Sequence, residues 1–136
     1  VIAQTIPQQG QRIYNLVDWA GYEPLRSRVA EAEESLWQNG ENPATNWNSN
    51  DLRTVLAKSD MQVMLTLHTF KEQRRLARTL VQRWFVADNA YRIALEKSGL
   101  SNELIRQIQS LYARQLENRV VDWRVETAFA TIKFPV

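Results

Sequence analysis

The chain contains no cysteine, a single histidine, four glycines and four prolines among its 136 residues. Without cysteine there is no disulfide scaffold, no thiolate metal site and no cysteine nucleophile. His68 has no second histidine or cysteine to work with, so neither a metal site nor a Ser-His-Asp triad has the material it needs. His68 therefore reads as an ordinary core or surface histidine. Few glycines and prolines favour long regular elements over a turn-rich β architecture. No apolar run approaches the roughly 18 residues of a membrane span. Also missing are a phosphate-cradling glycine loop, a nucleophile elbow and an HExxH pair. These absences lead to the expectation of a non-enzymatic protein with no cofactor, no metal and no small-molecule substrate. Val1, not Met, opens the sequence, which leaves processing of the N-terminus open.

Charge is present in both signs but unevenly spread. There are 17 Lys and Arg against 15 Asp and Glu, a net charge of +2. Residues 1–48 hold three basic and six acidic side chains, residues 49–97 nine and five, and residues 98–136 five and four. The middle third is the basic one. Thirteen of the cations are arginine, whose planar fork suits bidentate contacts with phosphate or carboxylate.

Hydrophobic periodicity predicts an all-α single domain spanning 1–136. Residues 1–10 form an extended arm, interrupted by Pro7 and Gly10. Residues 11–38 form a short helix-turn-helix pair. Its first helix carries Ile13, Leu16, Val17 and Ala20 on one face and stops at Gly21. Its second starts near Pro24, carries Leu25, Val29, Ala32 and Leu36, and stops at "QNGENP". Glu31, Glu33 and Glu34 on that second helix argue against reading of a DNA major groove, and Glu31 and Glu34 read as a solvated acidic face. Residues 49–130 form a bundle of long antiparallel helices. One runs from Leu52 to about Lys97, with a plausible break near "KSDMQ", where Ser59 and Gln62 have capping-box spacing. "QVMLTLHTF" within it is ambiguous, because Val63, Leu65 and Leu67 alternate as a strand does; the helical neighbours decide for helix. Ser101 caps the last helix, with Glu103 in its first turn and Leu104, Ile108, Leu111 and Tyr112 as its apolar stripe.

"KEQRRLARTLVQRWF", residues 71–85, holds five cations and one carboxylate. On a helical wheel Lys71, Arg74, Arg75, Arg78 and Gln82, extended by Asn89 and Arg92, share an arc of roughly 100°. Leu76, Leu80, Trp84, Ala87, Tyr91 and Ala94 lie on the opposite side. A line of cations so spaced can follow a phosphate backbone, supplying affinity without sequence information. The competing reading pairs these cations with acidic neighbours, such as the Glu31, Glu33 and Glu34 face, or leaves them solvated. The five tryptophans are numerous for this length; Trp19, Trp37 and Trp47 read as core or subunit-interface anchors.

The layout resembles the major coat proteins of filamentous archaeal viruses. The likeness rests on "VIAQTIPQQGQR" as arm, "GYEPLRSR" as helical turn and "KEQRRLARTLVQR" as basic wall. It implies a virion location and homo- or hetero-oligomers of similar subunits. They wrap double-stranded DNA without sequence specificity and assemble into a helical filament. The alternative is a helical adaptor or assembly subunit of a secretion or phage apparatus, cytoplasmic or periplasmic, that binds an acidic protein partner.

Overall fold

A computed structural model describes residues 2–38, 47–58 and 62–133. Its elements run β1 (Ile2–Thr5), α1 (Glu23–Trp37), α2 (Ser49–Ala57), β2 (Gln62–Leu76), α3 (Arg78–Arg83), α4 (Ala90–Lys97), α5 (Asn102–Leu116) and β3 (Arg119–Lys133). Short 3-10 turns lie at Pro7–Gln9 and Ile13–Leu16. The all-α expectation is therefore wrong. The protein is mixed α/β: 50% of the described residues are helical and 28% are strand, and among them lies a three-stranded antiparallel sheet in the order β1–β3–β2.

The error has a local cause. Lys, Glu, Gln, Arg and Leu all favour helix, and they fill residues 71–76. Strand pairing is a non-local contact that propensity does not register. Residues 119–132, "RVVDWRVETAFATI", are rich in β-branched and aromatic residues and alternate in burial through their second half. Given that partner, the alternation of Val63, Leu65 and Leu67 becomes one face of β2, and the strand carries on through the basic segment. The long helix expected over 52–97 is in fact α2, β2, α3 and α4. The expected arm begins as β1, which pairs antiparallel with β3 from Ile2 opposite Ala130 to Thr5 opposite Thr127. Of the expected helical pair only α1 is an α-helix; the first member reduces to the 3-10 turn at Ile13–Leu16. The expected stop at "QNGENP" holds, since α1 ends at Trp37 with Gln38 as its C-cap, while the Ser59 capping box lies outside the described residues.

The packing separates into two compact units. One comprises residues 1–11, 39–72 and 123–136, the other residues 12–38 and 73–122.

In the first unit, side-chain contacts fix which residues share a sheet face. Thr69 Oγ1 donates to Glu126 Oε2 at 2.6 Å, so odd positions of β2 lie with even positions of β3. His68 and Phe70 meet Phe129, so the reverse set forms the other face. A hollow lined by Arg53, Leu56, Ala57, Val63 and Leu65 places α2 over the first face. Asn48 starts α2 with a full capping box: its side chain accepts from Asn50 and Asp51 N–H, and Asp51 accepts from Asn48 N–H. Ala128 and Ala130 are buried on this covered side.

In the second unit, α1 packs on α4 and on the turn at 13–16, while α5 packs on α3 and α4. Its core holds Val29, Val81, Leu95, Ile105, Ile108, Tyr112 and Leu116, all at 1% exposure or less. Each such side chain contributes about 1.5–3 kcal/mol relative to exposure. Ser101 does cap α5, accepting from Leu104 N–H at 3.3 Å. Gly99, at φ +88°, turns the chain between α4 and α5 in a conformation that favours glycine.

Candidate functional site

The basic stripe does not exist as a single helix face. Lys71, Arg74 and Arg75 lie on β2, where neighbours alternate by about 180°. Lys71 and Arg75 therefore take one face of the strand and Arg74 the other. Lys71 also belongs to the first packing unit, and Arg74 and Arg75 to the second. All three are exposed. Asn89 and Arg92 serve the fold. Asn89 is the N-cap of α4, its Oδ1 accepting from Tyr91 N–H at 2.9 Å. Arg92 pairs with Glu96 at 2.9 Å and donates to Phe85 O and Asn102 Oδ1, both at 3.3 Å.

Arg78 and Gln82 do come together, on α3. They line a groove of about 410 Å³ whose other wall is α5, with Arg106, Gln109, Ser110 and Glu117. Sequence reading missed the α5 half, though its signal was available. Positions 106, 109 and 110 are spaced i, i+3 and i+4, a polar face flanking the stripe of Ile105, Ile108 and Tyr112, and Glu117 follows as the C-cap of α5. Two guanidiniums and two amides thus surround one concavity that has a single carboxylate. Glu117 sits 3.7 Å from the Arg78 Nε, and the Arg78 side chain remains 68% exposed. Among the described residues the Arg106 side chain has no ion-pair or hydrogen-bond partner. Ten donor N–H groups on two arginines, set beside amide and hydroxyl donors, suit an oxyanion such as a phosphate oxygen.

Of the three expected acidic competitors, Glu31 is exposed and the other two are occupied elsewhere. Glu34 accepts from Arg12 Nε at 2.8 Å and from the Tyr14 hydroxyl at 3.0 Å. Glu33 is not on a solvated face; it is 3% exposed. Its carboxylate accepts from Ile13 N–H at 2.6 Å, Tyr14 N–H at 3.2 Å and the Tyr91 hydroxyl at 2.6 Å, and Tyr91 in turn meets the Tyr112 hydroxyl at 2.7 Å. Burial pushes the Glu33 pKa up, against the pull of these donors. Burial likewise pushes both tyrosines above their ordinary range. A buried carboxyl beside two tyrosines has the makings of acid–base chemistry, but every polar atom here is satisfied inside the core. The network ties the turn at 13–16 to α1, α4 and α5.

The aromatic expectations divide. Trp19 is buried within its own chain, 6.1 Å from Tyr112 with its Nε1 donating to Tyr14 O at 2.8 Å, so it is a core anchor. Trp37 is half-buried beneath the Arg12 guanidinium, 4.9 Å from the ring centre, and Trp47 is half-buried. His68 is exposed on β2, 5.2 Å edge-on to Phe129. Among the described residues no group of three or more Asp, Glu or His side chains is placed to hold a metal ion. No helix among them is long and apolar enough to cross a membrane. No protein-family model matches the chain, and neither does any curated protein or solved structure.

Proposed function

We propose that the protein is a structural, non-enzymatic nucleic-acid-binding protein whose α3–α5 groove holds backbone phosphates without reading sequence. The observation that carries this is the convergence of Arg78, Gln82, Arg106, Gln109 and Ser110 on one groove, with Glu117 the single carboxylate among its lining residues. Contacts of this kind position a phosphate backbone and add affinity by counterion release, carrying no base information. The occupation of Glu33 and Glu34 inside the fold leaves Glu31 as the one exposed carboxylate of the three that formed the competing acidic face. The more specific expectation of a filamentous coat subunit rested on an all-α layout. A sheet-containing fold lacks that layout, so packaging is proposed without it. Double-stranded DNA is the first ligand to test.

Titration of random-sequence duplex against salt, with wild type and the Arg78→Ala/Arg106→Ala double variant, tests the reading. Binding at low salt that weakens with salt and is lost in the double variant supports it. Absence of binding at low salt overturns it. Equal affinity for polyglutamate and for duplex shifts the assignment to the acidic-partner adaptor.

A further inference from the structure

Glu117 carries the wrong charge for a phosphate site, yet it is one of the residues that line the α3–α5 groove. The fold gives its carboxylate little else to do. Its nearest oxygen lies 3.7 Å from the Arg78 Nε, beyond hydrogen-bond reach. Among the described residues the Glu117 side chain takes part in no hydrogen bond. Glu33 and Glu34, by contrast, each accept direct bonds from the fold around them. The Arg78 side chain is 68% exposed and that of Glu117 20%, so the pair is held by charge alone in a wet setting, where such contacts are weak.

The backbones beneath this loose pair are fixed. Asn118, next to Glu117, donates its N–H to Leu76 O at 2.7 Å and accepts from Arg78 N–H through Oδ1 at 3.3 Å. The end of α5 and the start of α3 are thus tied together, and Glu117 stays beside Arg78 whatever its side chain does. A carboxylate tethered in this way acts on that one guanidinium at a high effective concentration.

We infer that Glu117 is a built-in competitor for the phosphate at Arg78, an inference that rests on the phosphate-binding reading of the groove. In the empty groove the carboxylate neutralises Arg78. An incoming phosphate takes the guanidinium fork through two short N–H···O bonds, a contact that an ion pair at 3.7 Å does not match. Glu117 is displaced, and its charge remains beside the bound phosphate and opposes it. A single phosphate at Arg78 is therefore held weakly. A chain of phosphates that also engages Arg106 offsets this opposition, so the groove favours an extended polyanion over an isolated anion.

Random-sequence duplex is titrated against a double-mutant cycle of Glu117→Gln, Arg78→Ala and the two combined, with Arg106→Ala as the check on the groove itself. Glutamine keeps the size of Glu117 and removes its charge, and thermal unfolding confirms that each variant folds. Glu117→Gln should bind about two- to fivefold more tightly than wild type, with a log–log salt slope steeper by about 0.9. In the Arg78→Ala background the same change should have a smaller effect, because no guanidinium is left to compete for. Unchanged or weaker binding by Glu117→Gln, with Arg106→Ala still weakening it, overturns this inference and leaves the phosphate reading standing. So does an equal gain in both backgrounds, which marks general repulsion of the duplex by Glu117. Binding by none of the proteins at low salt overturns both.

Discussion

Glu33 shows how one side chain can hold a core together while opposing its own burial. Three donors converge on a carboxylate that is 3% exposed. Glu33→Gln keeps the size but can turn an amide N–H₂ toward the Ile13 or Tyr14 N–H, leaving a buried donor unpaired. That loss is worth about 1–3 kcal/mol, measured as a fall in unfolding free energy in urea at pH 4. The pH dependence has a definite sign. Burial raises the Glu33 pKa in the folded state above its ordinary 4.5, so the native state holds the proton more tightly than the unfolded chain. Its contribution to stability is full below about 4.5 and is lost as pH rises through the folded-state value. The stability advantage of the wild type over Glu33→Gln should therefore narrow between pH 4 and 7. A gap that stays constant or widens contradicts the assignment. This residue's role was hidden in the sequence, where it sits in a run of glutamates indistinguishable from a solvated face. Only the placement of Tyr91, 58 positions away, picks it out.

Among the elements, α3 has no cap side chain of its own and borrows one from a distant residue. Its N-cap position is Ala77, which has no side-chain oxygen to offer. Asn118 supplies one instead: its Oδ1 accepts from Arg78 N–H at 3.3 Å, and its own N–H donates to Leu76 O at 2.7 Å. Asn118 holds φ +57°, the left-handed conformation that asparagine tolerates better than most residues. Asn118→Ala should cost roughly 1–2 kcal/mol in chemical denaturation through the left-handed backbone alone. Asn118→Gly should recover that part and retain only the loss of the cap. Equal destabilisation by both variants shows that the backbone conformation does not matter. By contrast, the N-cap side chains of α2, α4 and α5 are local, Asn48, Asn89 and Ser101 standing immediately before their helices, although Ser49 N–H at the start of α2 also donates to Gln9 Oε1 at 3.1 Å. That contrast explains what was legible. The start of α5 can be read from Ser101 and its i, i+3, i+4 stripe, whereas the start of α3 requires residue 118.

For the whole molecule, the proposed function turns on how many phosphates the α3–α5 groove neutralises. If Arg78 and Arg106 each take one phosphate, their joint replacement by alanine should make the log–log salt slope shallower by about 1.8. Lys71→Ala, on β2 and outside the groove, should leave the slope closer to wild type. A larger change from Lys71→Ala than from Arg106→Ala places the contact on the strand instead. Both arginines are outside the core, so these variants should unfold within about 0.5 kcal/mol of wild type, which keeps the binding result interpretable.

Sequence alone determined the pieces whose signals are local. Pro24 and the apolar stripe through Val29 mark α1; Gly99, Ser101 and the Ile108–Tyr112 stripe mark the α4–α5 turn and α5. The missing cysteine and the lack of long apolar runs set chemical limits before any fold was known. The tertiary structure alone decided the state of residues 62–76. Residues 62–70 read either way and the composition of 71–76 favours helix; what holds the whole segment extended is the backbone ladder of β3, whose first residue lies 43 positions beyond Leu76. That one decision dismantled the cation stripe, since a change from 100° to 180° per residue moves Arg74 to the face opposite Lys71 and Arg75. It left Arg78 and Gln82 together on α3 and brought Arg106 to join them, because helix packing, not sequence proximity, sets which charges share a groove.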